Sequence, residues 1–257
     1  MAWWVPPLLA VQFLTRVPVP GLRGLGAAEV RTGLVRAVGW FPLVGALVGA
    51  VTAAVAVGGA SVWPVPVAVV LALVVEARLT GAFHEDAVAD FCDAFGGGQE
   101  PGDVLRIMKD SRIGSYGALG LMLAVGARAG LMIAVLEGFA PLVAGLVVVA
   151  SASFGRLLAV GMMAIVPPAG AGLGKDIGAG VGAGLLGMAV VTAVPGVMPL
   201  ALLAPLAVAG AIAAGLVFAL WFRGLLLRRI GGSTGDCLGF AAYAGQLMML
   251  LAVTAGR

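Results

Sequence analysis

An all-α, polytopic integral membrane helical bundle is predicted for this 257-residue chain by three observations. Hydrophobic residues make up 61% of it and charged residues 11%, at a mean hydropathy of +1.12, more apolar surface than a soluble globule of this length can bury. Apolar runs long enough to cross a bilayer recur along the sequence. The charged residues fall between those runs, mostly in alternate loops.

Residues 1–16 carry Trp3, Trp4 and the pair Pro6-Pro7 among about 14 apolar residues, short for a span and suited to an interfacial or re-entrant helix. No basic segment precedes this run and no small-residue cleavage site follows, so it is expected to be retained. Seven spans are expected, at 38–59, 63–80, 116–136, 139–165, 179–195, 197–222 and 238–255, with only Pro195-Gly196 parting the fifth from the sixth. That count puts the loops at 15–37, 81–115, 166–178 and 223–237 on one side, with Arg16, Arg23, Arg31, Arg36, Arg106, Lys109, Arg112, Lys175, Arg223, Arg228 and Arg229. The loops near 60, 137 and 196 carry no Lys or Arg, so the positive-inside rule makes the charged face cytoplasmic. A surface amphipathic helix is expected from Asp103, a suitable N-cap. The pairs Gly45/Gly49, Gly126/Gly130 and Gly180/Gly184 are expected to bring helices close together. No repeat or linker divides residues 1–257, which read as one membrane domain. The net charge of +3 with scattered basic residues gives no support to nucleic-acid binding.

The chemistry concentrates between the second and third spans. Of 12 acidic residues, Glu85, Asp86, Asp90 and Asp93 fall within nine positions, directly after the only histidine, His84. On a helix Asp86, Asp90 and Asp93 share one stripe, where carboxylate oxygens can converge on Mg²⁺. Lys109 and Arg112 follow at 102–117, either as a lipid-headgroup anchor or as a phosphate clamp. The Gly-rich stretch Gly231-Gly232-Ser233-Thr234-Gly235-Asp236 can bring backbone N–H groups to an anion and add a carboxylate ligand, or can simply be a tight helix connection.

Two arginines lie deep inside spans. Arg156, roughly 15 Å deep at 1.5 Å per residue, is expected to face the bundle interior and reach toward bound phosphate. Arg128 lies nearer the other face, with Glu137 near the same end, and suits a structural or snorkelling role. Glu76 and Arg78 are placed to support the acidic motif from below. Cys92 and Cys237 fall on the cytoplasmic side and are expected to stay reduced; with His84 they make a poor zinc set beside so many carboxylates.

The combination of residues 80–93 (TGAFHEDAVADFCD), 107–117 (IMKDSRIGSYG) and 231–236 (GGSTGD), with FLTRVPVP at 13–20 and FPLVG at 41–45, resembles the cobalamin synthase family across nearly the whole chain. The family's usual Gly-Gly before the His is Gly81-Ala82 here, its Asp-Gly is Asp86-Ala87, and the Gly after its third Asp is Ala94. The resemblance implies a Mg²⁺-dependent transferase in the cytoplasmic (inner) membrane of a bacterium, acting late in cobamide assembly. Adenosylcobinamide-GDP and α-ribazole, or α-ribazole 5′-phosphate, would be joined with loss of GMP. It implies Asp86, Asp90 and Asp93 as metal ligands, with Asp110 and Asp236 in support. Lys109, Arg112, Arg156 and the turn Gly231, Gly232, Ser233 and Thr234 would bind substrate, while Asp93 and His84 compete for the role of base. The lipid bilayer is the implied surrounding, and a homo-oligomer is left open. Rival readings are a CDP-alcohol phosphotransferase-like lipid enzyme, which has a different Asp spacing, and a cation transporter, which needs carboxylates at mid-bilayer.

Overall fold

A computed structural model describes residues 1–22, 24–169 and 181–255. Eleven α-helices are found among them: α1 (Val5–Leu14), α2 (Ala27–Ala37), α3 (Phe41–Ala60), α4 (Val65–Thr80), α5 (Phe83–Gly97), α6 (Pro101–Ile107), α7 (Ser115–Gly138), α8 (Pro141–Ile165), α9 (Ala183–Leu203), α10 (Pro205–Ile230) and α11 (Gly235–Thr254). Six stretches are long and apolar enough to cross a membrane, and α4 with α5 makes a seventh, bent pair. The polytopic all-α bundle expected from composition is what the chain forms.

The helices α3, α8 and α11 form the middle of the bundle, and glycines set their spacing. A Cβ on Gly45 would lie 2.6 Å from the Ala152 carbonyl oxygen, and one on Gly49 would lie 3.0 Å from Val149 Cα, so this pair closes the α3–α8 contact as expected. Gly126 and Gly130 differ: among the described residues nothing lies within 4 Å of a Cβ on either, and no described helix is seated there. Of the third expected pair, Gly180 lies outside the described residues and Gly184 faces open space. A contact not foreseen joins α8 to α11, where a Cβ on Gly245 would sit 2.9 Å from Gly155 Cα. Leu216, Val217, Leu220 and Trp221 of α10 and Met122 and Leu123 of α7 are exposed, as lipid-facing surfaces are.

The chain departs from the expected spans at two places. Residues 27–37, expected as loop, are helical and run through a short 3₁₀ turn into α3. Pro195-Gly196 is not a break: α9 runs through Pro195 and Pro199 and ends only at Ala204. Proline is tolerated within membrane helices where neighbouring helices and local adjustments satisfy the backbone groups it frees. Gly196 instead lets α9 approach α8 and α3, since a Cβ there would meet Ser153 Cβ at 2.6 Å and Ala46 Cβ at 3.0 Å.

The second departure from regularity builds the site. Between α4 and α5 the axis turns by 89°. Two successive left-handed residues make the corner, Gly81 at φ +74° and Ala82 at φ +58°. The space a Gly81 Cβ would fill is taken by the Arg16 side chain. Ala82 is the residue that replaces the second glycine of the resembled motif, and a left-handed L-residue costs roughly 1–2 kcal/mol. We expect Ala82→Gly to raise stability by about 0.5–1 kcal/mol in detergent unfolding, the relieved strain being partly offset by glycine's larger unfolded-state entropy. A loss of stability would contradict the strain.

Candidate active site

The corner lays α5 across the end of the bundle, where three contacts hold it. At its C-terminus Arg229 Nη2 donates to the Gly98 carbonyl at 2.7 Å, a cation placed where helix carbonyls lack partners. Along its length the Ala87 methyl packs on Gly239 of α11, so the alanine in place of the motif's glycine fills the gap that Gly239 leaves. Midway, both oxygens of Asp93 accept backbone N–H groups at the start of α7, from Gly114 at 2.6 Å and Gly117 at 2.7 Å. A side chain on either glycine would collide with that carboxylate.

Beneath α5 lies a buried ion pair that sequence reading did not join. Arg128 Nη2 donates to Glu76 Oε2 at 2.6 Å, with the side chains 2% and 3% exposed. Thr52 Oγ1 donates to the same oxygen at 2.7 Å, and Arg128 Nη1 lies 3.6 Å from Glu85 Oε1. The partner of Arg128 is thus Glu76, 52 positions away, and not Glu137. Helical periodicity carries no signal for a pairing at that distance.

The carboxylates come together from two elements. Asp90 is pushed up to about 6 by burial and then by the charges of Asp86, Asp236 and Asp93. Asp236, in the first turn of α11, is raised by burial and by Asp86. Asp86, Asp90, Asp93 and Asp236 are thus close enough for their charges to act on one another, and Asp93 is also engaged by α7. Among the described residues no three His, Cys, Asp or Glu side chains enclose a metal ion as they stand. The donor set still fits Mg²⁺: all ligands are hard oxygens, their mutual repulsion calls for a cation, and Mg²⁺ sites use one or two carboxylates completed by substrate phosphates.

The remaining predicted residues divide between two recesses and a turn. An open cleft is lined by Asp93, Asp110, Arg112 and Tyr116. There Arg112 grips Asp110 through Nε at 3.0 Å and Nη2 at 2.6 Å, which holds the Asp110 carboxyl at about 2, and Lys109 is exposed nearby. Asp103 does not cap α6, whose N-cap is Glu100; it pairs with Arg106 at 3.0 Å. A second cavity is lined by His84, Arg156, Gly235 and Gly239. In the turn, Gly231 is the left-handed cap of α10. Gly232 lets the chain pass the Pro167 carbonyl, Ser233 exchanges backbone bonds with Pro167 and Ala169, and Thr234 Oγ1 accepts from Cys237 N at the head of α11. These structural duties account for the four residues, and they set Asp236 beside α5. Cys237 is buried and Cys92 half-buried, both free thiols.

His84 is 4% exposed, and burial followed by Arg156 and Arg128 drives its imidazole well below the usual range. Arg156 Nη2 lies 3.5 Å from its Nδ1. An arginine can only donate, so Nδ1 accepts and the ring proton is assigned to Nε2. In that tautomer His84 is a neutral donor through Nε2.

A multi-pass helical bundle with converging carboxylates and cations at one end is the framework of a membrane enzyme. The chain matches the family described as cobalamin-5-phosphate synthase over residues 6–254, and it belongs to that family, an enzyme of the transferase class. It is 40% identical over 252 residues to the adenosylcobinamide-GDP ribazoletransferase of Ralstonia pickettii (strain 12J), covering 96% of this chain and 94% of the relative. The like-named protein of Leptothrix cholodnii is 36% identical over 258 residues, with the same coverage. That of Mesorhizobium japonicum is 39% identical over 248 residues, 95% of this chain and 90% of the relative. No solved structure matches the chain.

Proposed function

We infer that the protein joins adenosylcobinamide-GDP to α-ribazole, or to its 5′-phosphate, and releases GMP. The observation that carries this reading is the meeting of Asp86, Asp90 and Asp236 at one end of the bundle in a chain whose relatives bear that name. A ribose hydroxyl attacks the phosphorus that bears cobinamide, the bond from that phosphorus to the GMP oxygen breaks, and the hydroxyl proton passes to a carboxylate. Asp86, Asp90 and Asp236 would hold Mg²⁺ together with the substrate diphosphate; when bound, the ion withdraws charge from the phosphoryl oxygens. Lys109 and Arg112 lie on the open side, where Arg112 can exchange Asp110 for a phosphate. Asp93 keeps α5 and α7 in register, and its closeness to the cluster makes it an additional oxygen source.

The transporter reading loses its main support in the buried pair. Glu76, the acid set well inside a span, is neutralised by Arg128 and Thr52 instead of lining a path. Sealed proteoliposomes decide between the two readings. GMP is expected from adenosylcobinamide-GDP when α-ribazole and Mg²⁺ are present, without ion flux; flux without GMP would overturn the assignment. The charged face is read as cytoplasmic, so Gly102→Cys, a position in open surroundings, should label from the cytoplasmic side of oriented vesicles. Labelling only from the opposite side would reverse the orientation.

A further inference from the structure

The second cavity has a composition unlike a phosphate site. Its walls include three phenylalanines drawn from three helices, Phe13, Phe41 and Phe83. Phe13 stacks on Phe41 with ring centroids 5.5 Å apart, and Phe83 meets Phe13 edge-on at 5.6 Å. Phe83 is 40% exposed, so a large aromatic stands open on the charged end of the bundle. The polar side chains in the lining are His84 and Arg156, and Gly235 at the rim adjoins Asp236.

Arg156 is 2% exposed and makes no carboxylate contact within 4 Å among the described residues; it reaches only the Ala152 carbonyl at 3.3 Å and His84. Its Nε is buried without a hydrogen-bond partner. Glu76 and Glu85 act on Arg156 through space, but their direct contacts go to Arg128. Among the described residues Arg156 Nε has no acceptor, and an orphaned buried donor is costly.

We propose that this cavity seats the aromatic base of the ribazole substrate, with Phe83 and Phe13 against the ring and a donor from Arg156 or His84 on its unsubstituted ring nitrogen. The proposal rests on the transferase reading above and names the part of the substrate that the cavity takes. A benzimidazole is two fused, mostly apolar rings whose one free polar edge atom is an acceptor nitrogen, which matches apolar walls and a floor of donors. Guanine and the adenine of the adenosyl group, the other bases in the reaction, also present N–H donors, and neither Arg156 nor the donor tautomer of His84 can accept them. With the base held here, the ribose leaves the cavity beside Asp86 and Asp236, where its hydroxyl is needed.

Equilibrium dialysis of nanodisc-reconstituted protein tests the seat without requiring turnover. Phe83→Ala is expected to weaken α-ribazole binding by about tenfold, in the range of aromatic–base stacking, and to leave GDP binding within about twofold. Phe83→Leu keeps most of the volume without the ring face and should weaken α-ribazole likewise if the alanine variant does not fold, while Phe83→Tyr should retain affinity. Unchanged α-ribazole affinity in a folded Phe83→Ala or Phe83→Leu protein would overturn the proposal, as would weakened GDP in its place, which would assign the cavity to guanine. Should the wild type bind α-ribazole in this Phe83-dependent way yet release no GMP from adenosylcobinamide-GDP, the seat stands and the transfer reaction is what fails.

Discussion

Asp90→Asn is expected to lower transfer by at least about tenfold while leaving the metal-free protein as stable as the wild type, or more so. The two effects have one cause. Burial and three neighbouring carboxylates raise Asp90 to about 6, above its ordinary 3.8, so ionising it in the folded protein is unfavourable without a cation. A raised carboxyl contributes stability that is fully present below its unfolded value and lost as pH rises through its folded value. The metal-free protein should therefore lose some stability between about pH 4 and 6, modestly because Asp90 is partly solvated, and Asp90→Asn should flatten that slope. Mg²⁺ competes with the proton for the same oxygens, so its affinity should fall as pH drops below about 6. Measured at pH 8 and low Mg²⁺, near-normal turnover of Asp90→Asn would remove Asp90 from the site.

Arg128→Leu is expected to cost about 3–5 kcal/mol in detergent unfolding, because it leaves Glu76 buried with Thr52 as its one remaining partner among the contacts described. Adding Glu76→Leu should recover most of that loss, since a buried pair replaced by apolar groups is often neutral or better. The pair joins α3, α4 and α7, and through Glu85 it reaches α5. Transfer in Arg128→Leu should thus fall even in the folded fraction. A loss under about 1 kcal/mol would show that the pair contributes little to holding the corner.

These two sites mark what the sequence made legible. A hydrophobic run of about 20 residues is a local property set by bilayer thickness, so the spans were readable, and so was the helical stripe of Asp86 and Asp90. Contacts between distant segments were not. Nothing local marks Gly155 and Gly245 as a crossing and Gly126 and Gly130 as lipid-facing, because a small residue becomes an interface only when another helix arrives. Asp93 was legible on the same stripe, but its hold on the start of α7 is visible only once Gly114 and Gly117 are brought to it. Pro195-Gly196 looked like a turn by rules learned in water, where a helix can end by giving its carbonyls to solvent. Arg156 was legible as a charge facing the bundle interior, whereas its phenylalanine neighbours, drawn from three other helices, were not.

In the proposed reaction the carboxylates of α5 and α11 and the diphosphate of the substrate share one divalent cation. Electron paramagnetic resonance of Mn²⁺ with the reconstituted protein tests it directly. The account predicts weak binding by the protein alone, at least about tenfold tighter binding when adenosylcobinamide-GDP is added, and loss of that gain in Asp86→Asn, Asp90→Asn and Asp236→Asn. Equal Mn²⁺ affinity with and without adenosylcobinamide-GDP, or a substrate-dependent gain that survives all three substitutions, would contradict it.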